Sequence, residues 1–517
     1  MKELSNLDYL KLSKIKRLFY RRLFFFAGIP RWFKKIGLGI WNFIKKIGLK
    51  IKDVCVDFVM TFVHGDWKTK LSYFIWGFGN IARGQILRGI LFLLFEIVFV
   101  GYMVLYGGHW ISMLSSLGYQ GRETVLETTT VVIGGIPMTD THETVRYHDN
   151  SFRILLYGIL TILLVVAAIY TWLQNIKQNR ISEEIIKSGK KLKSGKDDLH
   201  SLIDDQFHKT LLALPVAGIT IFTVLPILFM IVIAFTSYDF NHDGYINLFE
   251  WVGWDNFNKV ISWNSGNANF SATFGEILGW TLIWAFFATF SNYFLGMLVA
   301  IMINKKGIKI KKFWRTVLVL TIAIPQFISL KYVASMFAKN GIVNGFLLRT
   351  GIISEAIKFW ESKNLARVMV IVINIWIGIP YLMLIATGIL MNIPQDLYES
   401  AKIDGANAWQ QYTRITLPYM LFVTAPYLLT SFISNMNNFN VIYLLTAGGP
   451  DKTNASTAGG SAGNTDLLIT WLFKLTTVDA NYKQASVIGI LIFLVVASIS
   501  LIIYNVLPST KNEEDFQ

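Results

Sequence analysis

The densest run of polar chemistry lies inside an otherwise apolar stretch, 419–439, which carries Thr430, Ser431, Ser434, Asn435, Asn437 and Asn438. Ser431, Ser434, Asn435 and Asn438 recur at i, i+3, i+4 and i+7, the spacing of one helical face. Hydroxyls and carboxamides donate and accept without charge, so such a face suits sugar hydroxyls or a neighbouring helix. The stretch 366–391 adds Asn374, Trp376, Gly378 and Tyr381. Gly378 with Pro380 predicts a locally opened helix, tolerated where it lines a cavity, and aromatic rings pack on a sugar's apolar face. A different chemistry is written at 239–250. Asp239, Asn241, Asp243, Tyr245, Asn247 and Glu250 fall at positions 1, 3, 5, 7, 9 and 12 of an EF-hand loop, with Gly244 at position 6. Tyr245 would ligate through its carbonyl and Asn247 through a water. The segment reads either as a calcium loop or as an acidic external turn that fits the pattern.

Hydrolytic motifs fail. Gly189 and Gly195-Lys196 mimic a phosphate loop, but the spacing is one residue too long and Asp197 stands where Ser or Thr is needed. There is no HExxH and no GxSxG, and the 7 His are scattered. Cys55 is alone, which excludes an internal disulfide and a multi-cysteine metal site. The expectation is a chain that is not an enzyme and binds no cofactor for catalysis.

These candidate residues sit on elements set by composition. Of 517 residues 53% are hydrophobic and only 16% charged, with a net charge of +15. Soluble domains are about a quarter charged, so the chain reads as an all-α, polytopic membrane protein. Eight stretches have the length and apolarity of spanning helices: 86–107, 153–173, 211–236, 277–303, 314–336, 366–391, 419–439 and 485–507. Residues 1–85 carry 17 Lys/Arg against five acids, and 108–152 two against five. Segment 174–210 is basic again, and Lys305, Lys306, Lys309, Lys311 and Lys312 follow the fourth span. The positive-inside rule then places both termini in the cytoplasm of a cell (plasma) membrane protein. Three regions are expected: a basic cytoplasmic or membrane-surface arm 1–85, two N-terminal spans with an outer loop and charged linker 86–205, and a six-span core 206–517. The arm mixes basic clusters with Phe, Trp, Ile and Leu, which predicts contact with anionic membrane lipid rather than nucleic acid. Glu96 lies midway in the first span, as a proton-relay carboxylate or one paired within the bundle.

The segment 392–418 joins the sixth and seventh spans. Pro394 suits a helix start, Gly405-Ala406 a tight bend, and Pro418 ends the element before the next span. A short cytoplasmic helix and turn held between two membrane helices is the geometry of a device that passes force to a soluble partner. Glu399, Ser400, Ala401, Asp404, Gly405 and Ala406, followed by Ile415, Leu417 and Pro418, resemble the EAA loop of binding-protein-dependent ABC importer permeases. Ser400 replaces the usual first alanine, and a small residue is retained. Two extra N-terminal spans, Gly448-Gly449-Pro450 and Thr465-Asp466-Leu467-Leu468 resemble the MalF-type permeases of maltose/maltodextrin importers.

That resemblance implies a type I ABC importer permease fold. It implies a second homologous permease subunit, two ABC ATPase subunits that hold and hydrolyse ATP, an extracellular solute-binding protein, and an oligosaccharide as cargo. It assigns ATPase coupling to the Glu399–Ala406 loop. It also assigns sugar contact to Asn374, Gly378, Tyr381, Ser431, Asn435 and Asn438, to which the shared helical face adds Ser434. The alternatives are a secondary sugar carrier and a permease for another oligosaccharide.

Overall fold

The computed structural model describes residues 39, 41–42, 45–118, 122–133, 136–147, 149–242, 248–262, 268–305, 307–452 and 460–506. Seven helices are long and apolar enough to cross a membrane, and a bent pair makes an eighth if counted as one span. In chain order the principal elements are α1 (Ile86–Leu114), α2 (Ser151–Lys187), α3 (Phe207–Ile233), α4 (Ala268–Asn304), α5 (Lys311–Ala323), α6 (Gln326–Met336) and α7 (Lys363–Leu390). They continue with α8 (Gln395–Ile403), α9 (Leu417–Met436), α10 (Phe439–Thr446), α11 (Leu468–Thr477) and α12 (Tyr482–Val506).

Two features depart from the expected plan. The stretch expected as a fifth straight span, 314–336, is α5 and α6 meeting at 92°. The break falls at Ile324-Pro325, where Pro325 removes a ladder donor and biases Ile324 to an extended backbone (ψ 124°). The expected outer loop contains an antiparallel hairpin, β1 (Arg122–Ile133) paired with β2 (Ile136–Tyr147) in a register running from Arg122↔Tyr147 to Ile133↔Ile136. Its β-branched runs of Thr and Val favour the extended state.

The chain divides into two compact units: 1–112 with 157–220, and 113–156 with 221–517. In the first, a buried polar network ties segment 66–85 to the far end of α2. Arg83 Nη2 donates to Asp66 Oδ1 (2.5 Å) and Thr69 Oγ1 (2.6 Å), and Arg83 Nη1 to Asn179 Oδ1 (2.9 Å). Thr69 Oγ1 donates to Glu183 Oε2 (2.8 Å), and Asn175 Oδ1 accepts the Gly77 N–H (2.9 Å). Each of these named groups has a partner, which an apolar surrounding requires. Burial raises the Asp66 carboxyl, but the Thr69 amide and hydroxyl and the Arg83 guanidinium outweigh it and hold Asp66 below its usual range. Glu96 on α1 accepts the Trp76 backbone N–H (2.8 Å), so this carboxylate is bound within the bundle.

In the second unit α4 is the common wall of the packing. Trp280, Trp284 and Ala288 pack with Leu330 and Val333 of α6, Val370 and Ile373 of α7, and Val441, Ile442 and Leu445 of α10. Further along, Tyr293, Met297, Ala300 and Ile303 pack with Met383 and Ala386 of α7 and Met420 and Leu428 of α9. Lipid offers no hydrophobic drive between helices, so close contact of small residues and polar bonds must hold them. Charge closes one end of the α4–α7 pair. Glu276 binds Lys363 (2.6 Å) and Lys452 (2.9 Å), and Arg367 lies 4.6 Å over the Trp280 ring.

Candidate functional site

Asn435 of α9 and Gly378 of α7, both singled out above, meet α4. Asn435 Nδ2 donates to Thr289 Oγ1 (3.0 Å), and the Asn435 carbonyl accepts from Trp284 Nε1 (3.0 Å). One turn on, Asn292 lies against Gly378 of α7. A Cβ on Gly378 would stand 2.6 Å from both polar atoms of the Asn292 amide, so the missing side chain is what permits this approach. Asn374, one turn before Gly378, is buried at 7% exposure. Tyr427 of α9 interacts with Ser431 on the same helix. Tyr381 and Trp376 are more than half exposed, and Ser434 is exposed.

The expected single face on α9 is shortened. The helix ends at Met436, and Asn438 instead caps α10, its side chain accepting the Val441 N–H (3.2 Å). A run of asparagines competes for the backbone and favours such a cap over helix interior. Asn438 stays in reach of the site through its amide, which donates to Asn435 Oδ1 (3.4 Å).

Residues on α4 escaped sequence reasoning. Thr289, Asn292 and Tyr293 all face the site helices, with Tyr293 OH accepting from Thr424 Oγ1 (2.8 Å). The available signal was a row of polar residues in an apolar span, which is costly without a purpose. An array of amides and hydroxyls converging within a helix bundle, with no charge among them, can exchange hydrogen bonds with a hydroxylated neutral solute.

The second constellation is the 392–418 loop. Pro394 precedes α8, and Asp396 sits in its first turn, where the helix dipole favours an acid. Gly405 ends the helix at φ +77°, with its N–H on the Lys402 carbonyl (3.0 Å) and the Ala406 N–H on the Ala401 carbonyl (2.8 Å). That left-handed closure is what glycine supplies at a helix end. Asn407 then caps the turn Ala408–Gln411 through a reciprocal pair with Gln410, both bonds 2.9 Å. Tyr398 OH meets Thr416 Oγ1 at 2.8 Å and so ties α8 to the π turn Tyr412–Thr416 that enters α9. Glu399, Ser400, Asp404 and Gly405 are exposed, Ala401 and Ala406 half-buried, and Ile403 and Trp409 are bare at 87% and 70%. The loop is therefore a knob closed by Gly405 and the Asn407 cap, with an apolar tip, the form of a docking element.

Of the third constellation, Asp243, Tyr245 and Asn247 lie outside the described residues, while Asp239, Asn241 and Glu250 are described. Asp239 Oδ2 accepts from Lys483 Nζ (2.5 Å), and its Oδ1 from the Asn241 N–H (3.0 Å) and His242 Nδ1 (2.7 Å). Burial pushes this carboxyl up, but Lys483 and His242 outweigh it and hold Asp239 below its usual range. Both oxygens that a calcium ion would use are taken, so an ion there would have to displace Lys483. Among the described residues no group of three or more His, Cys, Asp or Glu could hold a metal.

These features define a class: a polytopic membrane protein with an uncharged polar face inside its bundle and a knob between two long apolar helices. The family described as "Binding-protein-dependent transport system inner membrane component" matches residues 292–511. The chain is 32% identical over 459 residues to the maltodextrin transport system permease protein MalC of Streptococcus pneumoniae, covering 86% of this chain and 97% of that one. It is 32% identical over 460 residues to the maltodextrin transport system permease protein MdxF of Bacillus subtilis, with the same shares. It is 34% identical over 371 residues to the galactooligosaccharides transport system permease protein GanP of Bacillus subtilis, covering 71% of this chain and 85% of that one. The chain belongs to the family of inner membrane permeases of binding-protein-dependent transport systems.

Proposed function

We propose that this chain is one permease subunit of an ATP-driven importer of a neutral oligosaccharide, of the maltodextrin class. It would pair with a second homologous permease, receive sugar from an extracellular solute-binding protein, and be driven by two ATPase subunits. ATP is held and hydrolysed on those partners. Both termini and the α8 knob lie on the cytoplasmic side.

The carrying observation is the knob itself. Its helix is closed by Gly405 and followed by the Asn407 capping box, its apolar tip is uncovered, and its base is bonded to the π turn that leads into α9. Closure of the ATPases moves α8, and α8 drags α9. The polar residues of α9, with Asn374, Gly378 and Tyr381 on α7, then present the cavity to alternate sides. At Asp239, Lys483 stands in the place of a cation.

The similarity to a galactooligosaccharide permease keeps a second cargo in play. Reconstitution of the two permeases, the two ATPase subunits and the binding protein in lipid tests the reading. Maltotriose-stimulated ATP hydrolysis with maltotriose uptake is expected. Stimulation by a galactooligosaccharide and not by maltotriose would change the cargo. Uptake without the ATPases would overturn the importer in favour of a secondary carrier.

A further inference from the structure

Two buried amides near the candidate sugar face each leave one polar atom without a partner. Asn292, 6% exposed, donates its Nδ2 to its own helix at the Ala288 carbonyl (2.7 Å), and its Oδ1 is unpaired. Asn374, 7% exposed, has an unpaired Nδ2. A buried polar atom left without a bond is costly, and one kept in a native protein calls for an explanation.

The two orphans are complementary, one an acceptor and the other a donor. They stand on facing helices. Asn374 and Gly378 are four residues apart on α7 and therefore share its face, and Gly378 is pressed against the Asn292 amide. Pro380, two residues beyond Gly378, supplies no N–H to the Trp376 carbonyl, so α7 is free to adjust at this level. On the other side of Asn292, Thr289 and Tyr293 are already bonded to Asn435 and Thr424 of α9. Asn292 thus sits between the two helices that carry the candidate sugar contacts, with one lone pair unused.

We propose that Asn292 is a positioning residue for the cargo: its free carbonyl receives the Asn374 amide, directly or through one water, when sugar is loaded. The bond is open in the structure described here and closed in the loaded state. Its formation fixes the rotamer of Asn374 and the level of α7 against α4. Sugar retention then depends on a residue that need not touch sugar. This rests on the oligosaccharide reading above.

The test is maltotriose uptake per ATP hydrolysed, in proteoliposomes of the whole complex with saturating binding protein. Asn292→Leu keeps the volume and removes the carbonyl. It is expected to lower uptake per ATP about tenfold while ATP hydrolysis stays within twofold of native. Asn374→Leu, at a candidate sugar contact, should lower uptake at least as far, and the double variant should be no worse than Asn374→Leu alone, because Asn292 acts only through that bond. A merely structural role would lower uptake and hydrolysis together and leave their ratio at the native value, which overturns the proposal. Single effects that multiply in the double variant also overturn it. Asn292→Ala is the second variant, so that a failure of leucine to pack is recognised: it must reproduce the fall in the ratio. A native complex that hydrolyses ATP but takes up no maltotriose overturns the reading beneath the inference, a result distinct from any change between variants.

Discussion

Tyr398→Phe isolates the link between the knob and the bundle. Among the described residues, the side-chain hydrogen bond that leaves α8 for the rest of the permease runs from Tyr398 OH to Thr416 Oγ1, 2.8 Å, with Thr416 at 5% exposure. Phenylalanine fills the same volume and removes the hydroxyl alone, so α8 keeps its packing and its closure at Gly405. A net hydrogen bond contributes about 1 kcal/mol, which is about a fivefold shift in the equilibrium between a knob locked to α9 and one that swings freely. The assay is the ratio of sugar-stimulated to basal ATP hydrolysis in the reconstituted complex. That ratio should fall about fivefold, with basal hydrolysis and membrane insertion unchanged. Thr416→Val should match it, and the double variant should add nothing. Stimulation within twofold of native in Tyr398→Phe would refute the strut and leave backbone continuity as the route of force.

Other outcomes follow from the ion pairs. Lys474 Nζ binds Asp466 Oδ2 at 2.8 Å, and Asp466 is fully buried. Lys474→Met strands that carboxylate and should destabilise by about 3–5 kcal/mol; thermal denaturation in detergent checks it, and Lys474→Met with Asp466→Asn should recover most of the loss. Asp239 lies below its ordinary 3.8 in the native state, so its stabilisation is full above that value and is lost as pH falls through the native one. The melting difference between native and Asp239→Asn should therefore be constant near neutrality and vanish in acid below 3.8. Millimolar calcium should leave native melting unchanged and raise that of Lys483→Met, in which Asp239 Oδ2 is released. Equal calcium stabilisation of both would show that Lys483 does not occupy the cation's place.

Much of this fold was open to reading from the sequence because a bilayer imposes simple rules. Spanning helices need about 20 apolar residues, and those around α1, α7 and α12 emerge where the apolar stretches lie. The knob was legible because Pro394, Gly405 and Pro418 act on the local backbone. The 92° break was not, since hydropathy runs on through Ile324-Pro325 and only geometry separates α5 from α6. The hairpin had a signal, Gly134-Gly135 between two β-branched runs, which the charge count over the same stretch overshadowed. Asn292 and Thr289 were hidden for another reason. Their meaning lies in what α7 and α9 place opposite them, and no spacing along α4 records it.

Gly405 carries the central claim. A Cβ there would meet nothing of this chain within 4 Å, although its φ of +77° adds a modest backbone cost of about 1 kcal/mol. A side chain at Gly405 therefore disturbs the permease little and would obstruct a partner docked on the proposed coupling loop. In the reconstituted complex, Gly405→Asp should insert and melt near native yet lose maltotriose-stimulated ATP hydrolysis. Native stimulation from that variant would contradict coupling through this loop.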